Sequence, residues 1–298
     1  MTSLTYKHIT EIVDNYDGFL FDLWGVVVEG NYNYPGVVDN INHIINRGKK
    51  VIFITNAPRT IEHLSSRLTA WGINASKEMI ISSGELAVNM ILNSKKIFAI
   101  NKPLIYHLSS DQNNLTENAQ ISTTLNINEA DILLLTLHYD EEEKVNLDKF
   151  DSLLQTAVNR KMITICANPD LGIMQQGVYR YCAGYFAAKI KQFGGTVIYT
   201  GKPYSEIYQL ALSKLPNISK KRILMVGDTF YTDILGANTI GIDSALVLTG
   251  NATKFHNQYS ILEEKLARIK IAALEEEVMP NFVVELGNGQ ELLAPKLA

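Results

Sequence analysis

Several apolar runs of this chain end in a polar or glycine-containing turn and then lead into a helical pattern, and this alternation is the strongest constraint on its fold. The runs are 19–25, 49–60, 196–203, 222–229 and 244–250. Such an alternation is typical of βα units in a parallel sheet. After the second run, apolar residues recur at helical spacing from Ile61 to Trp71, and Gly72 follows them. We expect Asn56 to cap this helix and Pro58 to lie in its first turn.

The middle of the chain, residues 84–194, has strand candidates of its own. These lie at 131–139 and 162–170, with a helical stretch between them. The pattern predicts a second α/β unit inserted between the second and third runs. The predicted fold class is therefore α/β, with a Rossmann-like parallel-sheet core formed by 1–83 and 195–298 and an inserted α/β domain at 84–194.

Length, composition and charge exclude several classes of protein. The chain has 298 residues, 46% hydrophobic and 19% charged, which is ordinary for a protein that buries a large core. A formal net charge of −4 gives no general attraction to nucleic acid or anionic membranes. No apolar run approaches the ~18–20 residues of a membrane span, and the first residues lack a secretory apolar core. Cys166 and Cys182 lie among apolar neighbours and are expected to be reduced and buried. We expect a cytoplasmic protein without nucleic-acid or membrane partners.

Polar side chains stand where four of the five runs end. They are Asp22, Thr55 with Asn56, Lys202, and Asp228 with Asp233 one turn further on. Because open parallel sheets bind ligands at the carboxyl ends of their strands, three carboxylates, a hydroxyl and a lysine are expected in one crevice. Carboxylates at such short distances from one another require a cation. Mg²⁺ accepts carboxylates, waters and phosphate oxygens as ligands. Lys202, Thr55 and helix-start amides would meet a phosphate. The set suits phosphoryl transfer through an aspartyl phosphate.

Four segments carry a resemblance to a known family. "FDLWG", "ITNAPR", "GKP" and "VGDTFYTDILGA" resemble the four motifs of the haloacid dehalogenase superfamily. Their order, their spacing and the insertion between the second and third motifs resemble the branch with a type 2 cap. That branch includes nitrophenyl, nucleotide and sugar-phosphate phosphatases. The resemblance covers essentially the whole chain, and its fourth motif is quite specific.

The resemblance implies catalytic roles for three residues and a substrate-binding role for a fourth. Asp22 would be the nucleophile. Thr55 would bind the phosphoryl group, with Asn56 beside it as a substrate-binding residue. Lys202 would orient Asp22 and the phosphate.

The resemblance also implies a metal site and a substrate-facing loop. Asp22, the backbone carbonyl of Trp24 and Asp228 would ligate Mg²⁺, while Asp233 would support the metal shell and Lys202. In the cap, "ANPD" at 167–170 resembles the substrate-facing loop of the branch, so Asn168 and Asp170 are candidate specificity residues. The implied substrate is a small phosphorylated metabolite. A homodimer through the cap is possible, since related capped enzymes often pair in this way.

Trp24 departs from the pattern of the phosphatases in this superfamily, which usually carry Asp two residues after the nucleophile. That Asp protonates the leaving oxygen and then activates water, and such acid–base help is typically worth ~10²–10⁴ in rate. Its loss would fall mainly on poor leaving groups such as sugar alcohols. It would also slow the attack of water on the phospho-enzyme.

Three interpretations of Trp24 stay open at the level of the sequence. The chain is a Mg²⁺-dependent phosphatase, slow or with an acid supplied by another residue such as Asp170, Glu29 or His138. Alternatively, it catalyses a related reaction that needs no leaving-group proton. In the third interpretation it is a phospholigand-binding or regulatory protein with a retained pocket. The first is favoured because the remaining motif residues are all present.

Overall fold

A computed structural model of the chain describes residues 4–110, 115–117, 120–137, 139–140, 147–175 and 178–288. The chain divides into two compact units. The first, the core unit, consists of Met1–Thr55, Leu64–Ile81 and Tyr208–Ala298. The second, the cap unit, consists of Asn56–His63 and Ser82–Ile207. No helix in the described part of the chain combines the length and the apolar character needed to cross a membrane.

Seventeen strands are present among the described residues. In chain order they are β1 (Thr5–His8), β2 (Gly18–Phe21), β3 (Val28–Glu29), β4 (Tyr32–Asn33), β5 (Lys50–Thr55), β6 (Ile80–Ser82), β7 (Leu104–Leu108), β8 (Ser122–Thr123), β9 (Ile132–Leu135), β10 (Tyr139–Asp140), β11 (Ile163–Cys166), β12 (Gly172–Gln175), β13 (Val178–Tyr181), β14 (Ile198–Tyr199), β15 (Ile223–Gly227), β16 (Asp243–Leu246) and β17 (Phe282–Glu285).

The same part of the chain contains eleven α-helices. They are α1 (Ile9–Ile12), α2 (Val37–Asn46), α3 (Ile61–Ala70), α4 (Ser83–Leu92), α5 (Ser94–Phe98), α6 (Asp151–Asn159), α7 (Ala183–Gln192), α8 (Ser205–Ser213), α9 (Leu235–Ile240), α10 (Thr253–Asn257) and α11 (Leu262–Glu275).

The core unit is built on a seven-stranded sheet with the order β6-β5-β2-β15-β16-β17-β1. The pairings from β5 across to β1 are parallel. Strands β2 and β15 are buried at every residue, which explains their continuous apolar runs, since a parallel sheet is covered on both faces. The predicted Rossmann-like α/β core is confirmed.

The cap unit has an α/β core of its own, as predicted. Its five-stranded sheet has the order β14-β11-β9-β7-β8, with parallel pairings throughout. Strands β13, β10 and β12 form a separate antiparallel sheet. Helices α6 and α7 bury Leu154 and Phe186 in one apolar cluster together with Leu133 of β9. The free cysteines, Cys166 and Cys182, are both buried, as expected from their apolar neighbours.

The assignment of the 196–203 run to the core sheet is wrong. Strand β14 pairs in parallel with β11, at the edge of the cap sheet. The chain leaves β11, passes through β12, β13 and α7, and returns beside β11, and parallel strands joined by a helical crossover are usually neighbours. The cap unit therefore runs from Ser82 to Ile207 and also includes Asn56–His63, whereas the predicted inserted domain was 84–194.

Candidate active site

The carboxyl ends of three neighbouring strands in the core unit carry predicted site residues. Asp22 follows β2, Asp228 follows β15, and Thr55 is the last residue of β5. Strand β2 lies between β15 and β5, in parallel register with both. The three polar side chains therefore belong to one edge of the sheet, as the sequence predicts.

Three carboxylates of the core unit form a potential metal site. One oxygen from each of Asp22, Asp228 and Asp233 lies within 4.8 Å of the others. The residues are 8%, 3% and 0% exposed, so water contributes little to their solvation. Carboxylates this close and this buried repel one another when ionised. A hard divalent cation relieves that repulsion, and this all-oxygen donor set fits Mg²⁺.

The carboxylate of Asp228 is held by donors on both of its oxygens. The backbone N–H of Asn251 donates to Oδ2 at 2.6 Å, and the Thr229 hydroxyl donates to Oδ1 at 3.1 Å. Glycines make room for it: a Cβ at Gly25 or at Gly250 would lie 2.2 Å from Oδ2. Both glycines also have positive φ angles, +80° and +53°, which favour glycine.

Asp233 holds the backbone that follows β15. Its Oδ2 accepts the N–H groups of Asp228 and Thr229, both at 3.1 Å. Asp233 itself lies in a π-helical turn, Phe230–Ile234, a rare conformation often associated with functional sites. The buried Tyr208 hydroxyl donates to a backbone carbonyl of this turn at 2.9 Å. Burial, followed by the charge of Asp233, raises the pKa of Tyr208, which keeps the hydroxyl a donor.

Gly227 is expected to be indispensable for this arrangement. A Cβ at Gly227 would lie 2.1 Å from Cγ of Asp233. Gly227→Ala should therefore lower the free energy of unfolding by about 1–3 kcal/mol, as overpacking typically does. Gly18→Ala is the matched control in the adjacent strand, because its Cβ would approach no atom closer than Cγ1 of Ile223, at 3.2 Å, and Cδ1 of Leu215, at 3.3 Å. Urea unfolding measures both variants. An equal decrease in the free energy of unfolding in both variants would contradict the steric role assigned to Gly227.

Trp24 is half-buried in a tight turn directly after Asp22. It forms an isolated parallel bridge with Val28, and the N–H of Gly25 donates to the carbonyl of Val28 at 2.9 Å. The Leu23 carbonyl accepts the N–H groups of Val27, at 2.9 Å, and Val28, at 3.1 Å. The backbone at Trp24 is thus well defined. The metal-ligand role of its carbonyl stays a prediction.

Asn56 has a different structural role from the expected one. Helix α3 begins at Ile61, so the predictions that Asn56 caps it and that Pro58 lies in its first turn are both wrong. Instead, the Asn56 amide donates to Oδ1 of Asp170 at 2.9 Å and to the Lys202 carbonyl at 3.1 Å. Its Oδ1 accepts the Lys202 N–H at 2.7 Å. Asn56 therefore fixes the backbone of Lys202 and contacts the cap loop. Its contact with substrate stays a prediction.

The four predicted site residues of the cap unit belong to one hydrogen-bonded network. Lys202 is 1% exposed, and an ammonium this deeply buried requires anionic or polar partners. Asn168 Oδ1 accepts the N–H of Asp170 at 3.1 Å, and its carbonyl accepts the Cys166 thiol at 3.2 Å. Burial raises the pKa of Cys166 to about 12, so the thiol stays protonated. Asn56 joins Asp170 and Lys202 to complete the network. The loop at 167–170 and the third motif are thereby linked.

The residues proposed as substitute acids differ in their surroundings. The carboxylate of Glu29 accepts the Tyr34 hydroxyl at 2.9 Å, and Tyr34 in turn accepts the N–H of Gly250 at 3.2 Å. Burial, with the Glu29 charge second, raises the pKa of Tyr34. Asp170 accepts the amide of Asn56. His138 lies outside the described residues. Glu29 and Asp170 both take part in contacts that stabilise loops.

Sequence reasoning missed Thr229 and Asn251, which contact the carboxylate of Asp228. The signal was present, because Asn251 is the first polar residue past the run at 244–250. It also missed the need for glycine at 25 and 250. That need depends on the close approach of two loops to Asp228, which only the folded chain brings about.

Comparison with known proteins gives consistent results. Residues 19–114 match the family model of haloacid dehalogenase-like hydrolases, and residues 199–269 match a second, HAD-hydrolase-like model. These two ranges contain the four motifs, from Asp22 to Asp233. The loop with Asn168 and Asp170 lies between the matched ranges.

Curated relatives and solved structures are similar over nearly the full chain. An acid sugar phosphatase of Staphylococcus haemolyticus is 27% identical over 255 residues, which are 84% of this chain and 90% of the relative. The ribonucleotide monophosphatase NagD of Escherichia coli is 25% identical over 232 residues, 77% of this chain and 86% of the relative. The crystal structure of a possible sugar phosphatase from Cytophaga hutchinsonii has a TM-score of 0.74 and 26% identity, covering 95% of this chain and 98% of its own.

Proposed function

Because this chain belongs to the haloacid dehalogenase superfamily and is a phosphoric monoester hydrolase of that type, we propose that it hydrolyses a small phosphorylated metabolite through an aspartyl phosphate on Asp22. A sugar phosphate or a nucleotide is the proposed substrate class, since relatives are named for these substrates. The observation that carries the proposal is the buried cluster of Asp22, Asp228 and Asp233 at the carboxyl edge of the sheet. A cytoplasmic location and a homodimer through the cap are further parts of the proposal.

Asp22 is the proposed nucleophile. In the first step, one of its carboxylate oxygens attacks phosphorus, the bond between phosphorus and the ester oxygen breaks, and that oxygen leaves with the electron pair and takes up a proton. In the second step, water attacks the phosphorus of the aspartyl phosphate, which releases inorganic phosphate and restores the carboxylate. Thr55, at the same edge of the sheet, is proposed to donate its hydroxyl to a phosphoryl oxygen.

The proposed metal ligands are Asp22, Asp228 and the carbonyl of Trp24, with Asp233 supporting the shell. Bound Mg²⁺ would neutralise the carboxylates and draw negative charge from the phosphoryl oxygens. Asp233 already acts on the backbone, because it accepts the N–H groups that follow β15. Lys202 is proposed to orient the phosphate. Three further residues are proposed to bind substrate: Asn56, Asn168 and Asp170.

Trp24 shapes the substrate preference that we propose. An indole N–H at this position cannot protonate a departing alkoxide, since it is not an acid near neutral pH. A nitrophenolate or another stabilised leaving group departs without that proton, whereas a sugar alkoxide needs it. The protein should therefore hydrolyse activated phosphoesters faster than sugar phosphates, unless another residue supplies the acid.

The same residue favours a second candidate function. A site that binds phosphate and metal but lacks the usual acid could serve a phospholigand-binding or regulatory protein. In that case ligand binding would be retained while turnover is absent.

Phosphate release by the purified protein tests the proposal. Nitrophenyl phosphate, a sugar phosphate and a nucleotide are assayed in parallel, each with Mg²⁺ and with a chelator. We expect Mg²⁺-dependent release that the chelator removes, with the nitrophenyl ester turned over fastest. Binding of inorganic phosphate without turnover of any ester would contradict the hydrolase and support the binding role.

A further inference from the structure

We propose that Thr229 and Asn251 are positioning residues that hold Asp228 ready for metal binding, and this inference rests on the proposed function of the site. The Thr229 hydroxyl donates to Asp228 Oδ1 at 3.1 Å. The Asn251 N–H donates to Asp228 Oδ2 at 2.6 Å, and its side-chain amide donates to the Thr229 hydroxyl at 3.0 Å. The three residues form a closed hydrogen-bonded ring.

The direction of each hydrogen bond in the ring follows from its chemistry. The Asn251 Nδ2 is a donor only, so it occupies a lone pair of the Thr229 oxygen. The single hydroxyl proton of Thr229 is then directed to the carboxylate of Asp228. Asn251 thus acts on one oxygen of Asp228 directly and on the other through Thr229.

The ring matters because Asp228 has little freedom to find other partners. The residue is 3% exposed, and a Cβ at Gly25 or at Gly250 would lie 2.2 Å from Oδ2, so the carboxylate is closely surrounded by backbone. A carboxylate oxygen accepts more than one interaction, so a donor on each oxygen leaves lone pairs for a cation. Fixing the carboxylate plane beforehand reduces the reorganisation that metal binding requires. Partners of this kind typically change metal affinity 10–100-fold when removed.

The loop that carries Asn251 is anchored independently of its side chain. The Thr249 hydroxyl donates to the Gly25 carbonyl, and the Gly250 N–H donates to the Tyr34 hydroxyl. Tyr34 in turn donates to Glu29. Side-chain changes at position 251 should therefore leave the loop in place. This separates a positioning role from a role in folding.

Titration calorimetry with Mg²⁺ on the full chain tests the inference. Thr229→Val removes the hydroxyl at nearly constant volume, and Thr229→Ser retains it. We expect the dissociation constant for Mg²⁺ to rise about 10-fold in Thr229→Val and to stay within about 3-fold of the original in Thr229→Ser. The Mg²⁺ concentration for half-maximal phosphate release should shift in parallel, while the rate at saturating Mg²⁺ changes little.

Asn251→Ala tests the same inference independently, and it keeps the inference testable if Thr229→Val does not fold. It should weaken Mg²⁺ binding several-fold with an unchanged melting temperature. Combining it with Thr229→Val should add little further loss, since both side chains act through one hydroxyl. Unchanged Mg²⁺ affinity in the folded variants would overturn the inference alone. Absence of Mg²⁺ binding by the unmodified protein would overturn the metal centre of the proposed function, and this inference with it.

Discussion

Asp22→Asn should abolish phosphate release from every ester, by at least about 10³-fold, while leaving the protein folded. The amide is nearly the same size as the carboxylate, but it is a poor nucleophile and does not form the covalent phosphoryl intermediate. Removing one of three buried carboxylates should also weaken Mg²⁺ binding. In the absence of metal, the variant should be at least as stable as the original, because the repulsion with Asp228 and Asp233 falls.

The matched control for this prediction is Asp17→Asn. Asp17 lies on the same chain segment but is 45% exposed and pairs with Arg222 at the surface. Hydrogen bonding to Arg222 lowers the pKa of Asp17 to about 2. Surface pairs contribute little to stability, and Asp17 precedes β2 whereas Asp22 follows it, so turnover should be unchanged. Phosphate release and thermal melting are measured for both variants. Turnover by folded Asp22→Asn would exclude an aspartyl phosphate.

Trp24→Asp should raise the rate of sugar-phosphate hydrolysis by about 10²-fold or more, within the ~10²–10⁴ that general acid–base catalysis supplies. The new carboxyl would protonate the departing alkoxide and later accept a proton from the attacking water. The rate with nitrophenyl phosphate should rise less, because only the attack of water gains from the new carboxyl, whereas both steps gain with the sugar phosphate. The pH profile for the sugar phosphate should gain an alkaline limb, reporting loss of the proton from the new acid.

Trp24→Asn separates acid catalysis from simple removal of the indole. It opens the same space as Trp24→Asp, but it carries no titratable group. Steady-state rates on both substrates and the nitrophenolate burst of the unmodified protein are measured. A burst followed by slow turnover is expected, since water attack on the intermediate also lacks its base. If the Asp and Asn variants gain equally on sugar phosphates, the effect of Trp24 is steric and the missing-acid account is wrong.

Much of the architecture was accessible from local patterns in the sequence. Strands β2, β5, β15 and β16 lie in apolar runs of the sequence, because both faces of a parallel sheet are covered. The position of Asp22 or Asp228 directly after such a run placed it at the ligand-binding edge without further information. The α/β character of the cap was likewise visible in the runs that became β9 and β11.

The assignment of β14 shows where local pattern was insufficient. Its run contains only two strand residues, and their apolar character fits either sheet. The choice of β11 as its neighbour depends on the path of the chain through α7, which is a non-local property. The prediction that Asn56 caps a helix was wrong for a similar reason. Its position in the sequence suits a cap, but its amide donates hydrogen bonds to Asp170 and Lys202, which are distant in sequence.

The parallel core, the inserted α/β unit, the order of the four motifs and the replacement of the usual acid by Trp24 all follow from the sequence alone. Each is a property of residue type and spacing along the chain. The folded chain was needed to show that Thr229 and Asn251 donate hydrogen bonds to Asp228, and that Gly25 and Gly250 must lack a Cβ beside it. Apart from the Thr229 hydrogen bond to its chain neighbour Asp228, these contacts join segments more than 20 residues apart, from Gly25 to Asp228 and from Asp228 to Asn251. Folding of the sheet brings such pairs within hydrogen-bond distance. A local pattern can place Asn251 at the end of a strand, but it does not identify Asp228 as its partner.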